Sequence, residues 1–191
     1  RRILNKIFKN QSGKILDLAC GSGRLTNFAT SGADASEEML KIAQKKHSVK
    51  EFFQAKSNDL PFEKESFQGC LTFHFIMHLD EVVFTKTIDE VHRILSKNGT
   101  FVFDIPVKNR RKIIIQNQEN WHAALSFNQD EIEKFIKNKF EIRKKFGLLI
   151  IPIHRIPKRF RKYFLTFDFL LSNFGLLKNL SSYHIYELRK I

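Results

Sequence analysis

Apolar residues along this chain switch repeatedly between the alternation expected of strands and the three-to-four-residue spacing expected of helices. In RRILNKIFKN, Ile3, Leu4, Ile7 and Phe8 share one helical face, which predicts a short amphipathic helix laid on the domain. QSGK is a turn. The apolar run over residues 15–19 predicts a strand, followed by a tight glycine loop and a helix beginning near Arg24. SGADASEEMLKIAQKK supplies a second strand, ending at Ala33 and Asp34, and a helix started by Ser36. Met39, Leu40 and Ala43 form the buried side of that helix. Glu37 and Glu38 lie in its first turn, where the helix dipole favours acids.

Farther along, Phe52 and Phe53 mark a third strand, and Pro61 fixes NDLPF as a loop. FQGCLTFHF is a fourth strand, TKTIDEVHRIL a helix stopped at SKNG, and TFVFDIP a fifth strand. NQDEIEKFIKNKF is a helix with Asn128 as its cap and Glu131 three residues on. FEIRKKFGLL is a sixth strand, residues 157–174 form a basic amphipathic segment, and YHIYELRKI alternates as a final strand. This order predicts an α/β fold, a mostly parallel sheet covered on both faces, with no internal repeat and no low-complexity linker.

Length and composition narrow the picture to one domain. The 191 residues suffice for one hydrophobic core and are short for two. With 42% apolar and 28% charged residues, the chain has the make-up of a globular protein. The 20 phenylalanines, beside abundant Lys, Ile and Asn, fit a genome bias as well as a function. Cys20 and Cys70 fall in or at the ends of strands, and no Cys/His cluster has zinc-ligand spacing. Neither a disulfide scaffold nor a metal is therefore expected, and a cytoplasmic location fits. No run approaches the roughly 20 apolar residues of a spanning helix, and no signal peptide opens the chain. Its first residue is Arg, not Met, as in a fragment. The formal charge of +13 suits contact with RNA, anionic lipid or an acidic small substrate, and equally suits a lysine-rich solvated surface.

DLACGSG holds the chemistry-bearing loop. Gly21 and Gly23 permit a tight turn and close backbone approach to a ligand, and the loop delivers the next element to that ligand. Asp34, at the end of the following strand, can accept hydrogen bonds from both hydroxyls of a ribose. Asp17, under the loop, suits either a structural tie or a ligand contact. A dehydrogenase ranks lower, since no third glycine completes GxGxxG.

Four ordered segments carry a resemblance: ILDLACGSGRL, GADASEEMLKIAQKK, NDLPFEKESFQGCLTFHFIMHLDE and EVHRILSKNGTFVFDIP. Together they resemble the class I S-adenosylmethionine (SAM)-dependent methyltransferases, specifically the group that includes the ubiquinone and menaquinone methyltransferases. The match covers residues 14–106 well and YHIYELRK more loosely. It implies a Rossmann-like seven-stranded sheet with an antiparallel last strand, spanning residues 1–191 as one domain, with 107–125 and 152–180 covering the substrate side. It further implies SAM as cofactor. Gly21 and Gly23, with Ala19 and Ser22 of the same loop and Asp17 beneath, would line the methionine part. Asp34 would hold the ribose, Ala35 and Met39 would flank the adenine, and Lys56 and Ser57 would reach its other side. Phe73 and His74 would border the methionyl group and the substrate entry.

The chain departs from the pattern in places. Lys56 stands where the family has an acid that accepts from the adenine amino group, and a lysine has donors only. Position 68 is Gln where Asp is usual, and SKNGT has one glycine where two are favoured. The interval from Gly23 to Asp34 is several residues shorter than in the family. Residues 24–30 give about 10 Å of helix, and residues 31–34 about 13 Å of strand. Almost nothing remains for a turn, so either the crossover is very short or loop residues are missing from the sequence, the second being preferred.

Three histidines are candidates for proton transfer: His78, just past the fourth strand, His74, nearer the methyl donor, and His122. His122 pairs with Trp121 as a possible wall of the substrate pocket, against the plain alternative of packing and surface residues. In HRIPKRFRKYFLTFDFLLSNFG, residues 155–174, apolar residues Phe160, Tyr163, Phe164, Phe167, Leu171 and Phe174 recur at helical spacing behind a basic cluster. That pattern suits peripheral contact with a membrane, a cap over an amphipathic substrate, an RNA groove, or simple packing on the core. The leading expectation is methyl transfer to a small or lipid-like acceptor, in the cytoplasm or peripheral to a membrane. An RNA (tRNA) methyltransferase and a non-catalytic SAM-fold binding protein are the alternatives.

Overall fold

Strand β1 (Ile15–Leu18) is buried at every residue, as a central strand covered on both faces must be. The computed structural model describes residues 1–9, 11–107, 129–151 and 156–191. Its other strands are β2 (Ser31–Asp34), β3 (Glu51–Gln54), β4 (Phe67–Thr72), β5 (Leu95–Pro106), β6 (Phe140–Leu148) and β7 (Tyr183–Lys190). The helices are α1 (Arg2–Phe8), α2 (Glu37–Lys46), α3 (Glu81–Ile94), α4 (Gln129–Ile136) and α5 (Arg161–Leu171). The strands form one seven-stranded sheet in the order β3-β2-β1-β4-β5-β7-β6. Strands β3, β2, β1, β4 and β5 are mutually parallel, and β7 runs antiparallel between β5 and β6. This is the Rossmann-like sheet expected from the motifs. Strand order reverses between β1 and β4, so their following loops diverge and leave a crevice at the carboxyl ends.

On one face Phe84, Ile88, Val91 and Ile94 of α3, with Ile132 and Ile136 of α4, join the cluster around Leu16, Leu18 and Phe103. On the other, Ile3, Leu4 and Phe8 of α1 pack with Ile15, Leu71 and Val102. The predicted N-terminal helix, the Ser36 cap (its Oγ accepts from Met39 N–H at 3.3 Å) and the strands at Phe52–Phe53 and Phe140 all form. Asn128, the expected cap of α4, lies outside the described residues.

Two expectations are corrected. First, no α-helix follows the glycine loop; the segment from Ala19 to Thr30 holds one 3-10 turn, Thr26–Phe28. Extended chain covers about 3.3 Å per residue against about 1.5 Å in a helix. Giving up the helix lets the crossover close at its present length, which fits the reading of a very short variant. The closure is held by hydrogen bonds. Thr30 N–H donates to Ile15 O at 2.8 Å, and Thr30 Oγ1 accepts from Ile15 N–H at 2.9 Å. Second, SKNG is not a separate loop. α3 ends at Ile94 and β5 starts at Leu95, with Asn98 at φ 63° and pairing to β4 shifting between Phe67 and Gly69.

Helix α5 presents its apolar side outward. Its buried residue is Asp168, whose carboxylate accepts from the main-chain N–H groups of Leu149 at 3.0 Å and Ile151 at 2.7 Å. Tyr163, Phe167, Leu170 and, just beyond the helix, Phe174 are 64%, 54%, 64% and 74% exposed. Simple packing of the apolar face on the core, one of the readings of this segment, is therefore overturned among the described residues.

Candidate cofactor and acceptor site

The loop after β1 leaves the sheet edge through left-handed backbone at Ala19 (φ 54°), Gly21 (φ 51°) and Gly23 (φ 72°). A Cβ built on Gly21 meets nothing within 4 Å, whereas one on Gly23 comes within 2.9 Å of the His47 ring. Gly21 thus faces open space and Gly23 faces packed protein. His47 Nε2 donates to Gly23 O at 2.8 Å, and Lys46 Nζ reaches the same carbonyl at 3.2 Å, pinning the loop to the end of α2.

Asp34 sits at the carboxyl end of β2 beside this loop. Its Oδ2 accepts from Gly21 N–H at 2.8 Å and its Oδ1 from Ser36 N–H at 2.9 Å. A carboxylate has about four acceptor sites. Two remain after these bonds, as many as a ribose diol needs. Asp17, buried under the loop, accepts from the Thr26 hydroxyl at 2.6 Å. Burial pushes its carboxyl up to about 6, and the nearby Asp34 charge adds to this, while the Thr26 bond and the charges of Lys50 and Arg24 oppose it. Lys50 ties the crossover from below, donating to Thr26 O at 2.6 Å and to Ala29 O.

A cavity of about 210 Å³ lies over the loop, lined by Asp17, Ala19, Gly21, Ser22, Arg24 and Phe73 among others. A second, of about 290 Å³, shares Arg24, Leu25 and Phe73 with the first and continues to His74, Asp104 and Tyr183. His74 adopts φ 56°, an uncommon backbone for a non-glycine residue. Its N–H donates to Asp104 Oδ1 at 2.7 Å, its ring Nδ1 lies 3.7 Å from Asp104 Oδ2, and its ring meets Tyr183 edge-on at 6.0 Å. Asp104 is buried, and burial raises its carboxyl above the ordinary range, against the His74 N–H and the charges of His74 and Arg24.

At the positions expected beside the adenine, Ala35 and Met39 are exposed next to the end of β2, and Ala35 O accepts from Gln54 Nε2 at 3.2 Å. Lys56 is exposed and forms an isolated main-chain bridge with Asp59. Ser57 is buried with its hydroxyl 2.8 Å from that of Thr87. Since the Thr87 hydroxyl donates to Val83 O at 2.8 Å, Ser57 is the donor to Thr87. Ser57 therefore anchors the loop to α3, and it lines neither of the two cavities. Arg93 completes this anchoring, pairing with Glu90 and donating to Phe62 O at 2.6 Å and Leu60 O at 2.9 Å. Gln68, in place of the usual acid, accepts from Lys14 N–H at 2.9 Å.

Of the two candidate histidines among the described residues, His74 borders a cavity. His78 is exposed in the turn Ile76–His78 and lines neither of the two cavities. His122 and Trp121 lie outside the described residues. Sequence reasoning missed Asp104, Arg24 and Lys50. A signal existed for Asp104, a lone acid inside the apolar run TFVFDIP; nothing marked which of the 33 basic residues would border the crevice.

Residues 16–103 match the family model described as a methyltransferase domain. Over that stretch, just under half of the chain, the sequence resembles a methyltransferase domain of the class I SAM-dependent type. A ubiquinone/menaquinone biosynthesis C-methyltransferase of Rickettsia felis is 32% identical to this chain over 111 residues, 49% of this chain and 44% of that protein. A demethylmenaquinone methyltransferase of Thermotoga maritima is 29% identical over 111 residues, 53% of this chain and 47% of that one. The chain spans about half the length of the curated relatives it matches. Among solved structures, a SAM-dependent methyltransferase of Thermotoga maritima superposes with a TM-score of 0.72 at 18% identity, covering 98% of this chain and 87% of that one. SAM is the cofactor of this domain type, and the loop fits it: open space over Gly21, an acid with free acceptor sites at Asp34, and a cavity running toward His74.

Proposed function

We propose that the protein transfers a methyl group from SAM to a small or lipid-like acceptor of the quinone type. The observation that carries this reading is the His74–Asp104 pair on the wall of a cavity that adjoins the glycine loop. The cofactor, when bound, supplies an electrophilic sulfonium methyl. The loop from Ala19 to Gly23 orients it, and Phe73 stands between donor and acceptor cavities. His74 takes the acceptor's acidic proton on its ring while Asp104 holds the other side of the imidazole. The present 3.7 Å separation is of the kind that tightens when substrate binds. Relatives named for demethylmenaquinone and ubiquinone support a quinone-type acceptor.

The acceptor cavity is walled largely by Leu4, Leu25, Leu148, Leu149 and Ile185. The large basic groove of about 610 Å³ at Arg2, Lys6 and residues 143–145 shares no lining residue with it. With Arg1 and Arg24 as its only cations among the described residues, the apolar-walled cavity favours a lipid-like acceptor over RNA, which calls for a continuous basic surface leading into the site. Peripheral contact with a membrane through residues 155–174 belongs to the same reading, as does a cytoplasmic location. Its support is the outward apolar side of α5 behind Lys158, Arg159, Arg161 and Lys162. Among the described residues no helix is long and apolar enough to cross a membrane.

Calorimetric titration with SAM and S-adenosylhomocysteine tests the cofactor, and transfer of labelled methyl to a demethylated quinol tests the reaction. Micromolar binding and label in the quinol are expected. No binding at millimolar ligand by folded protein would put the non-catalytic alternative in its place.

A further inference from the structure

The unusual crossover between β1 and β2 changes how the cofactor's carboxylate can be held. In a strand–loop–helix unit, the N-terminus of the helix supplies main-chain N–H donors and a positive dipole end to an anion. Here the loop is followed by a three-residue 3-10 turn, Thr26–Phe28, whose preceding residue Leu25 makes no side-chain cap. So short a turn sums very little dipole. The amino-acid end of SAM nevertheless carries a carboxylate, and the cavity over the loop must offset its charge.

The cations near the loop differ in availability. Lys50 spends its ammonium on Thr26 O and Ala29 O, and Lys46 reaches Gly23 O. Among the described residues Arg24 is the one cation lining the cofactor cavity, and it also borders the acceptor cavity, beside Arg1. It is exposed and makes no hydrogen bond or ion pair among the described residues. Its charge is felt by the carboxyls of Asp17 and Asp104 on either side, each of which it helps to ionise. A guanidinium presents a planar fork of donors that matches a carboxylate bidentately, and it cannot lose its charge.

We infer that Arg24 replaces the missing helix N-terminus and binds the carboxylate of the cofactor's methionine end. The inference rests on the cofactor use proposed above, and the experiment separates the two. Wild type, Arg24→Gln and Arg24→Lys are titrated with S-adenosylhomocysteine and with 5′-methylthioadenosine, which lacks the amino-acid end. Melting curves establish that the variants are folded. Arg24→Gln is expected to weaken S-adenosylhomocysteine by about ten- to a hundredfold, the range of a charge-assisted hydrogen bond, and to leave 5′-methylthioadenosine within about twofold. Arg24→Lys is expected to recover part of the loss. Equal weakening of both ligands would make Arg24 a support of the loop and overturn the inference, as would no weakening of either. Wild type that binds neither ligand would overturn the cofactor reading itself, and this inference with it.

Discussion

The main-chain N–H of His74 and the carboxylate of Asp104 are joined by a 2.7 Å hydrogen bond that spans the ends of the neighbouring strands β4 and β5. One carboxylate therefore both fixes a left-handed backbone at His74 and stands 3.7 Å from its imidazole. Asp104→Asn keeps an acceptor for the N–H, so the fold is expected to survive. The charge beside the ring is lost, and kcat is expected to fall by about tenfold or more. Burial holds the Asp104 carboxyl above its ordinary range, so removing that ionisation is expected to alter the acid limb of the kcat profile as well. Lost stability with an unmoved pH profile would make Asp104 purely structural.

Asp17 makes stability depend on pH in a stated direction. Its carboxyl is raised from 3.8 to about 6 in the folded state, so between those values the native protein binds more protons than the unfolded chain. Its contribution is complete below about pH 4 and is lost as pH rises through about 6. Two pH units of displacement correspond to about 2–3 kcal/mol. Asp17→Asn retains an acceptor for the Thr26 hydroxyl and removes the ionisation. Urea denaturation at pH 4 and pH 7 is expected to show the variant gaining about that much on wild type between the two. A constant difference would contradict the assignment.

Lys50 holds the crossover closed through Thr26 O and Ala29 O. Lys50→Met strips both carbonyls of a charged donor, and a cost of about 2 kcal/mol is expected. Because the crossover carries the glycine loop, affinity for S-adenosylhomocysteine is expected to fall with stability. Calorimetry and denaturation on the same samples check both, and unchanged affinity in a destabilised variant would uncouple the crossover from the site.

The outward side of α5 predicts a surface activity. Co-sedimentation with vesicles containing phosphatidylglycerol is expected to exceed that with neutral phosphatidylcholine, since the basic residues from Lys158 to Lys162 adjoin the exposed aromatics. Exchanging Tyr163 and Phe167 for Ser is expected to abolish sedimentation without lowering the melting temperature, as both side chains are largely exposed. A fall in melting temperature with vesicle binding intact would place these residues in packing.

The chain itself determined the sheet and the position of the loop. Alternating and helical periods in residues 14–106, with glycines after the first strand and Asp34 after the second, are local signals. Capping by Ser36 and the buried run of β1 likewise follow from neighbouring residues. Only the tertiary structure decided the crossover, because the helical pattern after Gly23 competes with a distance that short chain can span only when extended. It also decided which of His74 and His78 meets Asp104. His74 and His78 stand four positions apart, and their spacing cannot tell which ring meets Asp104, whose place opposite His74 comes from the pairing of β4 with β5. The direction of α5 was equally beyond the sequence: its apolar spacing is the same whether that side faces core or solvent. Asp168 settles it by binding two N–H groups that only the folded chain brings beneath the helix.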